Sequence, residues 1–376
     1  MGGDGNLGPQ IYSDFKEMSS GASSDVVLLA LVDYPGDKCS RVMEARPHSM
    51  DPVCQLPEIC TGDPRPISDF LARGLVSFGE ETRFAIGFWG HGHGVFGDFD
   101  SEEILVDRGI RFGALGAPPL LASGDRSMLP DETSGNSLTN REAGSALAVA
   151  FSRARRRVPV DLLFFDTCLN GSVEVYAELE RFARVFVASS LLIAGAGWHY
   201  ELWLRIARDR PPETAEEWAH FAVKAYEVAY SQSKEPAHLV ATRCGAELVE
   251  AFAGLVEALS QLEPREAKRL VKEAGLRSAS VYYKENLDLR QLVRRVRGLA
   301  EADGLVGVRE AAERFLGVQE RAVVSETRAK DGVEGLCGMT VWCPVYGDLE
   351  DVGRYYGGLE FCRRTGWGRI VGQGLV

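Results

Sequence analysis

The stretch Val160-Asp161-Leu162-Leu163-Phe164-Phe165-Asp166-Thr167-Cys168-Leu169-Asn170-Gly171 decides how this chain folds. Its first half is mostly apolar and short, as a strand inside a sheet is. Its second half stops that strand and opens a helix. The thiol of Cys168 therefore stands at the carboxyl end of a strand, where open α/β sheets collect ligands. Upstream, residues 84–89 form a second apolar run that ends in Gly90-His91-Gly92-His93-Gly94, offering an imidazole and flexible backbone at another strand end. Two such ends can meet in space although 77 positions separate His91 from Cys168.

The elements around these runs alternate. Residues 26–32 read as a strand covered on both faces and ended by Asp33, followed by a turn-rich, cysteine-containing stretch to about residue 66. A helix presenting Leu71, Leu75 and Phe78 then feeds the strand at 84–89. Residues 95–137 form a long irregular loop rich in Gly, Pro, Ser and Asp, a length that goes with function or mobility. Thr139-x-x-Glu142 is a capping box for a helix with Leu147, Ala150 and Phe151 facing inward. After Cys168 a helix capped by Asn170 or Ser172 leads to a strand at 184–190. From about residue 211 amphipathic helices dominate, one with Trp218, Phe221, Ala222 and Ala225 on one face and one with Leu248, Phe252, Leu255 and Leu259. Residues 239–242 read as a short strand, and 338–343 as an alternating segment closed by Pro344. This order predicts an α/β fold: a mostly parallel central sheet flanked by helices, with a helical C-terminal region. Three parts follow: a catalytic core at 1–210, a helical region at 211–325 packed on it, and a strand and tail at 326–376 that return to the core.

A net charge of −12 disfavours nucleic acid and anionic lipid surfaces and suits a cationic substrate. No apolar run approaches the roughly 18 residues of a membrane span, and the first residues lack the basic start and apolar core of a signal peptide. Arg153, Arg155, Arg156 and Arg157 sit at a helix C-terminus, where the helix dipole favours them. The eight cysteines include no C-x-x-C pair; Cys39, Cys54 and Cys60, and Cys337, Cys343 and Cys362, leave room for one or two disulfides.

A cysteine attacks as its thiolate, and His91 or His93 is placed to take the proton. The glycines after each histidine, together with the N–H of Cys168, offer donors to an oxyanion, so the parts suit acyl transfer. Asp166 is two residues before Cys168 and points to the same side of an extended segment. A carboxylate there raises the thiol pKa unless a substrate cation neutralises it, which argues for a recess that reads Arg or Lys. Two other readings stand beside this one. The fold can be an inactive peptidase scaffold acting as a binding module. Alternatively, His91 and His93 with Asp98 and Asp100 can serve a metal-assisted hydrolase, although the spacing matches no H-E-x-x-H or binuclear pattern.

Taken together, the segments resemble the clostripain family of cysteine peptidases, in the clan of caspases, legumain and gingipains. Phe88-Trp89-Gly90-His91-Gly92-His93-Gly94 is similar to that family's strand and x-H-G-x-G. Asp166-Thr167-Cys168-Leu169-Asn170-Gly171-Ser172-Val173-Glu174-Val175 is similar to its D-A-C-L-M-x-x-V-E-V. Leu138-Thr139-x-x-Glu142, Gly197-Trp198-His199-Tyr200 and the 338–344 segment match further motifs in order. The resemblance implies a caspase-like sandwich and an endopeptidase cutting after Arg or Lys through an acyl-enzyme. Cys168 is then the nucleophile, His91 the base, Gly92 and Cys168 the oxyanion donors, and Asp166 an acid lining the specificity recess, with Glu201 offered as a second. Protein or peptide substrates with basic residues are the expected partners. No cofactor is required; calcium can modulate some relatives, but no ligand set here identifies it. Family members cut their own chain between His and Cys, which makes Arg108, Arg111 and Arg126 the candidates here. Asp4-Gly5-Asn6-Leu7 is similar to the D-N-x-L that follows the family's opening strand, so either that strand is missing or the true start lies upstream.

Overall fold

A computed structural model describes residues 1–3, 5–79, 82–95, 128–233, 237–328, 336, 338–345 and 356–371. Strands β1 (Leu28–Val32), β2 (Cys39–Arg46) and β3 (Ser49–Pro57) form an antiparallel sheet of their own. Next come β4 (Ala85–Trp89), the hairpin β5 (Met128–Asp131) and β6 (Asn136–Leu138), then β7 (Val160–Asp166), β8 (Ala183–Ala188) and β9 (His238–Arg243). The chain closes with β10 (Ser280–Val281), β11 (Tyr283–Asp288), β12 (Val323–Arg328) and β13 (Thr340–Trp342).

The central sheet has the order β12-β9-β8-β7-β4. Strands β4, β7 and β8 pair in parallel, while β9 is antiparallel to both β8 and β12, so only β9 runs against the other four. The mostly parallel sheet expected from the alternation is present. Its strands are buried on both faces, and their side chains alternate between two cores as a period of two dictates. Ile86, Phe88, Leu163, Phe165 and Phe186 enter one core; Trp89, Leu162, Val185 and Val187 enter the other. Phe165 stacks on Phe88 and packs tilted against Phe186, each pair with centroids 5.2 Å apart, which ties β4, β7 and β8 together.

Helix α1 (Gly8–Gly21) covers the second face with Ile11, Phe15 and Met18, alongside α5 (Tyr200–Asp209) and α6 (Ala215–Tyr230). The first face is covered by α2 (Pro64–Ser77), α3 (Asn140–Arg153) and α4 (Val173–Leu179), then by α7 (Ala246–Ser260), α8 (Pro264–Leu276), α9 (Leu289–Ala302) and α10 (Val306–Ala322). The capping box of α3 forms as read, with Thr139 accepting from Glu142 N–H and the Glu142 carboxylate accepting from Thr139 N–H. Ser172, rather than Asn170, caps α4.

Two readings need correction. Most of the turn-rich stretch before residue 66 is the β2–β3 hairpin; its exposed β3 leaves almost no alternation to detect. The seven described cysteines are all free, and Cys337 lies outside the described residues. Residues 1–3 run between the ends of β1 and β4, where Gly2 N–H donates to Trp89 O at 2.9 Å and Gly2 bridges Asp33 in parallel. No described helix is long and apolar enough to cross a membrane.

Candidate active site

Parallel pairing of β4 with β7 sets Trp89 against Asp166, and the Gly90 N–H donates to Asp166 O at 3.1 Å. His91 and Cys168 each lie two residues beyond that pair. They leave adjacent strands at the same edge.

The turn carrying Cys168 is held from several sides. Leu169 adopts φ 63°, a left-handed conformation that costs a non-glycine residue of order 1–3 kcal/mol and persists only where the surroundings enforce it. They do so here: Leu169 N–H donates to Leu191 O and Gly171 N–H to Ser189 O, at 3.0 and 2.7 Å. Gly171 O in turn accepts from Thr340 N–H and from the Ser190 hydroxyl. In the first turn of α4, buried Glu174 accepts from Trp342 N–H and the Tyr356 hydroxyl at 2.8 and 2.7 Å. These bonds dock the 338–343 segment on the Cys168 turn; β13 pairs with β11 and stays out of the central sheet.

The histidine loop is fitted to this turn. A Cβ on Gly92 would stand 2.4 Å from Cys168 O, so only glycine permits the approach. Asn170 Oδ1 accepts from Gly94 N–H at 3.3 Å, and Asn140 donates to Gly94 O at 2.9 Å. From the far side, Leu129 N–H donates to His91 O at 3.0 Å, so the β5–β6 hairpin clamps the loop. Neither the Gly92 N–H nor the Cys168 N–H is taken by another described residue.

His91 Nε2 bonds Asn6 Oδ1 at 2.6 Å. Oδ1 only accepts, so Nε2 carries the proton and Nδ1 is left with the lone pair. Burial, with the neighbouring charge of His93 second, pushes His91 down to about 4, which keeps it neutral at pH 7. His93 is 7% exposed and is pushed down to about 4 by burial alone. The half-buried Cys168 sulfur accepts from Ile193 N–H at 3.2 Å. Burial pushes its thiol up to about 11, the Ile193 N–H opposes that, and Asp166 adds to it. At rest the Cys168 thiol and the His91 imidazole are both neutral, so an attack by this sulfur would call for a base rather than a preformed ion pair.

Asp166 is 5% exposed; its Oδ2 accepts from Tyr200 OH at 2.8 Å and Trp198 N–H at 3.2 Å. Burial pushes it up to about 7; these two donors lower it and Glu17 raises it. Glu201 faces elsewhere, pairing with Arg205 across one turn of α5 at 3.7 Å. Among the described residues no group of three His, Cys, Asp or Glu is gathered to hold a metal; Asp98 and Asp100 lie outside them, as do Arg108, Arg111 and Arg126.

Asn6 and Asp14, whose Oδ2 accepts from Trp89 Nε1 at 2.5 Å, are site residues that the sequence reading missed. Asn6 carried a signal only through D-G-N-L. Asp14 carried one in spacing, since it lies three residues after Ile11 and four before Met18 on the buried stripe of α1.

The model of the clostripain family matches residues 123–284, a span that contains Cys168 and begins after His91. That span is similar to the clostripain family of cysteine peptidases. A comparison with curated proteins gives no significant match. Among solved structures, this chain resembles a secreted C11 cysteine protease from Bacteroides thetaiotaomicron in complex with an irreversible peptide inhibitor. Identity is 16%, with 98% of this chain and 97% of that one covered and a TM-score of 0.64. It also resembles an inactive zymogen C11 protease from Parabacteroides distasonis, at 14% identity, 96% and 95% coverage and a TM-score of 0.65. These likenesses show a shared fold over nearly the whole chain, His91 included.

Proposed function

We propose that this chain is a cysteine endopeptidase of the clostripain kind, cleaving peptides or proteins after Arg or Lys through a Cys168–His91 dyad. The observation that carries the reading is the contact of Gly92 with Cys168 O, which brings the histidine loop against the nucleophile turn while Asp166 lies buried below. His91 Nδ1 takes the Cys168 proton as the sulfur attacks the scissile carbonyl. The N–H groups of Gly92 and Cys168 stabilise the oxyanion, and the proton passes to the leaving amine. Water, activated by the same imidazole, then releases the acyl group and restores the thiol. His91 is favoured over His93 because its proton is fixed by Asn6, the orienting third group that such a base uses.

Asp166 has hydrogen-bond donors but no cationic partner among the described residues, and a buried carboxylate so placed suits a substrate guanidinium or ammonium. Self-cleavage after Arg108, Arg111 or Arg126 belongs to the same reading, and the likeness to a zymogen supports it. Hydrolysis of fluorogenic peptides ending in Arg, Lys or Asp, with and without a thiol blocker and a chelator, tests the whole. Thiol-blocked, chelator-resistant turnover of Arg and Lys peptides is expected. Chelator-sensitive turnover would favour the metal reading, and none on any peptide the inactive scaffold.

A further inference from the structure

Asp14 is a carboxylate in an unusual place. It sits on the apolar stripe of α1 at 3% exposure, between Ile11 and Met18, and faces the sheet where β4 and β7 end. Its Oδ2 accepts from the indole of Trp89, the residue paired with Asp166. Gly197 (φ 63°) lies between the two acids. A Cβ there would meet Asp166 Oδ2 at 3.1 Å, Asp166 Oδ1 at 3.5 Å and Asp14 Oδ2 at 3.7 Å. Both carboxylates thus lie against Gly197, and glycine at this position keeps a side chain from crowding between them.

The pair is incompletely satisfied. Oδ1 of Asp14 and Oδ1 of Asp166 each accept from no described residue, and no described arginine or lysine pairs with either acid. Surface carboxylates of this chain, such as Asp37, Asp63 and Glu217, do have arginine partners. Two buried acids without a cation are destabilising by themselves, and an incoming cation is what relieves them.

We propose that Asp14 is a second specificity-determining carboxylate, sharing with Asp166 the binding of the basic side chain that precedes the scissile bond. This rests on the assignment of Cys168 and Asp166 above. A planar guanidinium with several N–H donors can engage two carboxylates at once, whereas an ammonium is a point charge, so the pair prefers Arg to Lys.

The test compares Asp14→Asn with wild type on two peptides that differ only in arginine or its neutral isostere citrulline before the cut. The ratio of kcat/KM for arginine over citrulline falls about 10- to 100-fold if Asp14 contacts the cation. An unchanged ratio, even with both rates lowered, makes Asp14 merely a support for Trp89 and overturns the proposal. Should the variant fail to fold, agmatine binding to wild type at pH 6 is measured by calorimetry in buffers of different ionisation enthalpy. Among the described residues, Glu17 of α1, Tyr200 of α5, Tyr230 of α6 and Cys168 are the other titratable groups at the recess, with His199 beside Glu17. Release of about two protons is expected when both carboxylates engage, and release of about one or fewer overturns the second carboxylate. Wild type that treats arginine and citrulline alike contradicts the Asp166 reading instead, a distinguishable failure.

Discussion

Gly92 lies so close to Cys168 that a side chain at 92 would overlap the Cys168 carbonyl oxygen. This contact turns two distant segments into one site, and it is sensitive to a single methyl group. Gly92→Ala must push the loop and the turn apart, and a misplacement of about 1 Å is enough to cost about 100-fold in rate. Activity on an arginine peptide should fall at least that far, with the far-UV circular dichroism of the chain retained. Full activity in the alanine variant would show the two segments to be further apart than described.

Asn6 fixes the imidazole. Asn6→Ala should lower kcat roughly 10- to 100-fold, within what positioned proton transfer contributes, and change KM little. Asn6→Asp places a carboxylate against Nε2, favours the imidazolium and raises the His91 pKa above its present value of about 4. NMR titration of the ring should find that rise. A titration unmoved by Asn6→Asp would remove Asn6 from its orienting role.

Turnover of a basic substrate should depend on the charge of the recess. Burial, joined by the Asp166 charge and then opposed by the Trp89 indole, pushes Asp14 up to about 8, while Asp166 is at about 7. The cation-binding form is the deprotonated one, so kcat/KM for an arginine peptide should rise through pH 7 to 8, and that for a citrulline peptide should not. Stability runs the other way. Both folded values lie above the unfolded carboxylate value, so the native state holds extra protons between about pH 4 and 8. The contribution is full below pH 4 and is lost as pH rises through 7 and 8. Asp14→Asn should therefore raise the melting temperature of the unliganded chain more at pH 9 than at pH 5, as calorimetry would measure.

Glu174 anchors the C-terminal segment to the Cys168 turn. Glu174→Ala leaves the Trp342 N–H buried without its acceptor and the Tyr356 hydroxyl with only Trp342 O at 3.4 Å, which should cost about 1–3 kcal/mol in denaturant unfolding. Glu174→Gln keeps an acceptor in place and should lose less. Equal losses in the two variants would mean that packing, not these bonds, holds the segment.

Much of this site could be read before any coordinates, because its logic is local to two strand ends. The apolar runs at 84–89 and 160–165 have lengths and neighbours that only buried strands satisfy, and glycine beside His91 has a steric meaning that the fold supplies. What escaped depends on partners far along the chain. The 39–57 hairpin is mostly exposed and so carries little periodicity. Helix α1 has a legible stripe in Ile11, Phe15 and Met18, yet the stripe does not tell which strand it covers, so Asp14 could not be brought to Asp166. Glu201 was reached from sequence proximity to Tyr200, but a helix turns successive residues by 100°, and Tyr200 faces Asp166 while Glu201 faces Arg205.

The most direct test of the account is covalent labelling with an arginine-directed, thiol-reactive peptide probe, the modified residue being located by mass spectrometry. The account predicts one adduct on Cys168, lost in Cys168→Ala and strongly diminished in both His91→Ala and Asp166→Asn. An adduct on another cysteine, or equal labelling by a probe carrying an acidic residue in place of arginine, would contradict it.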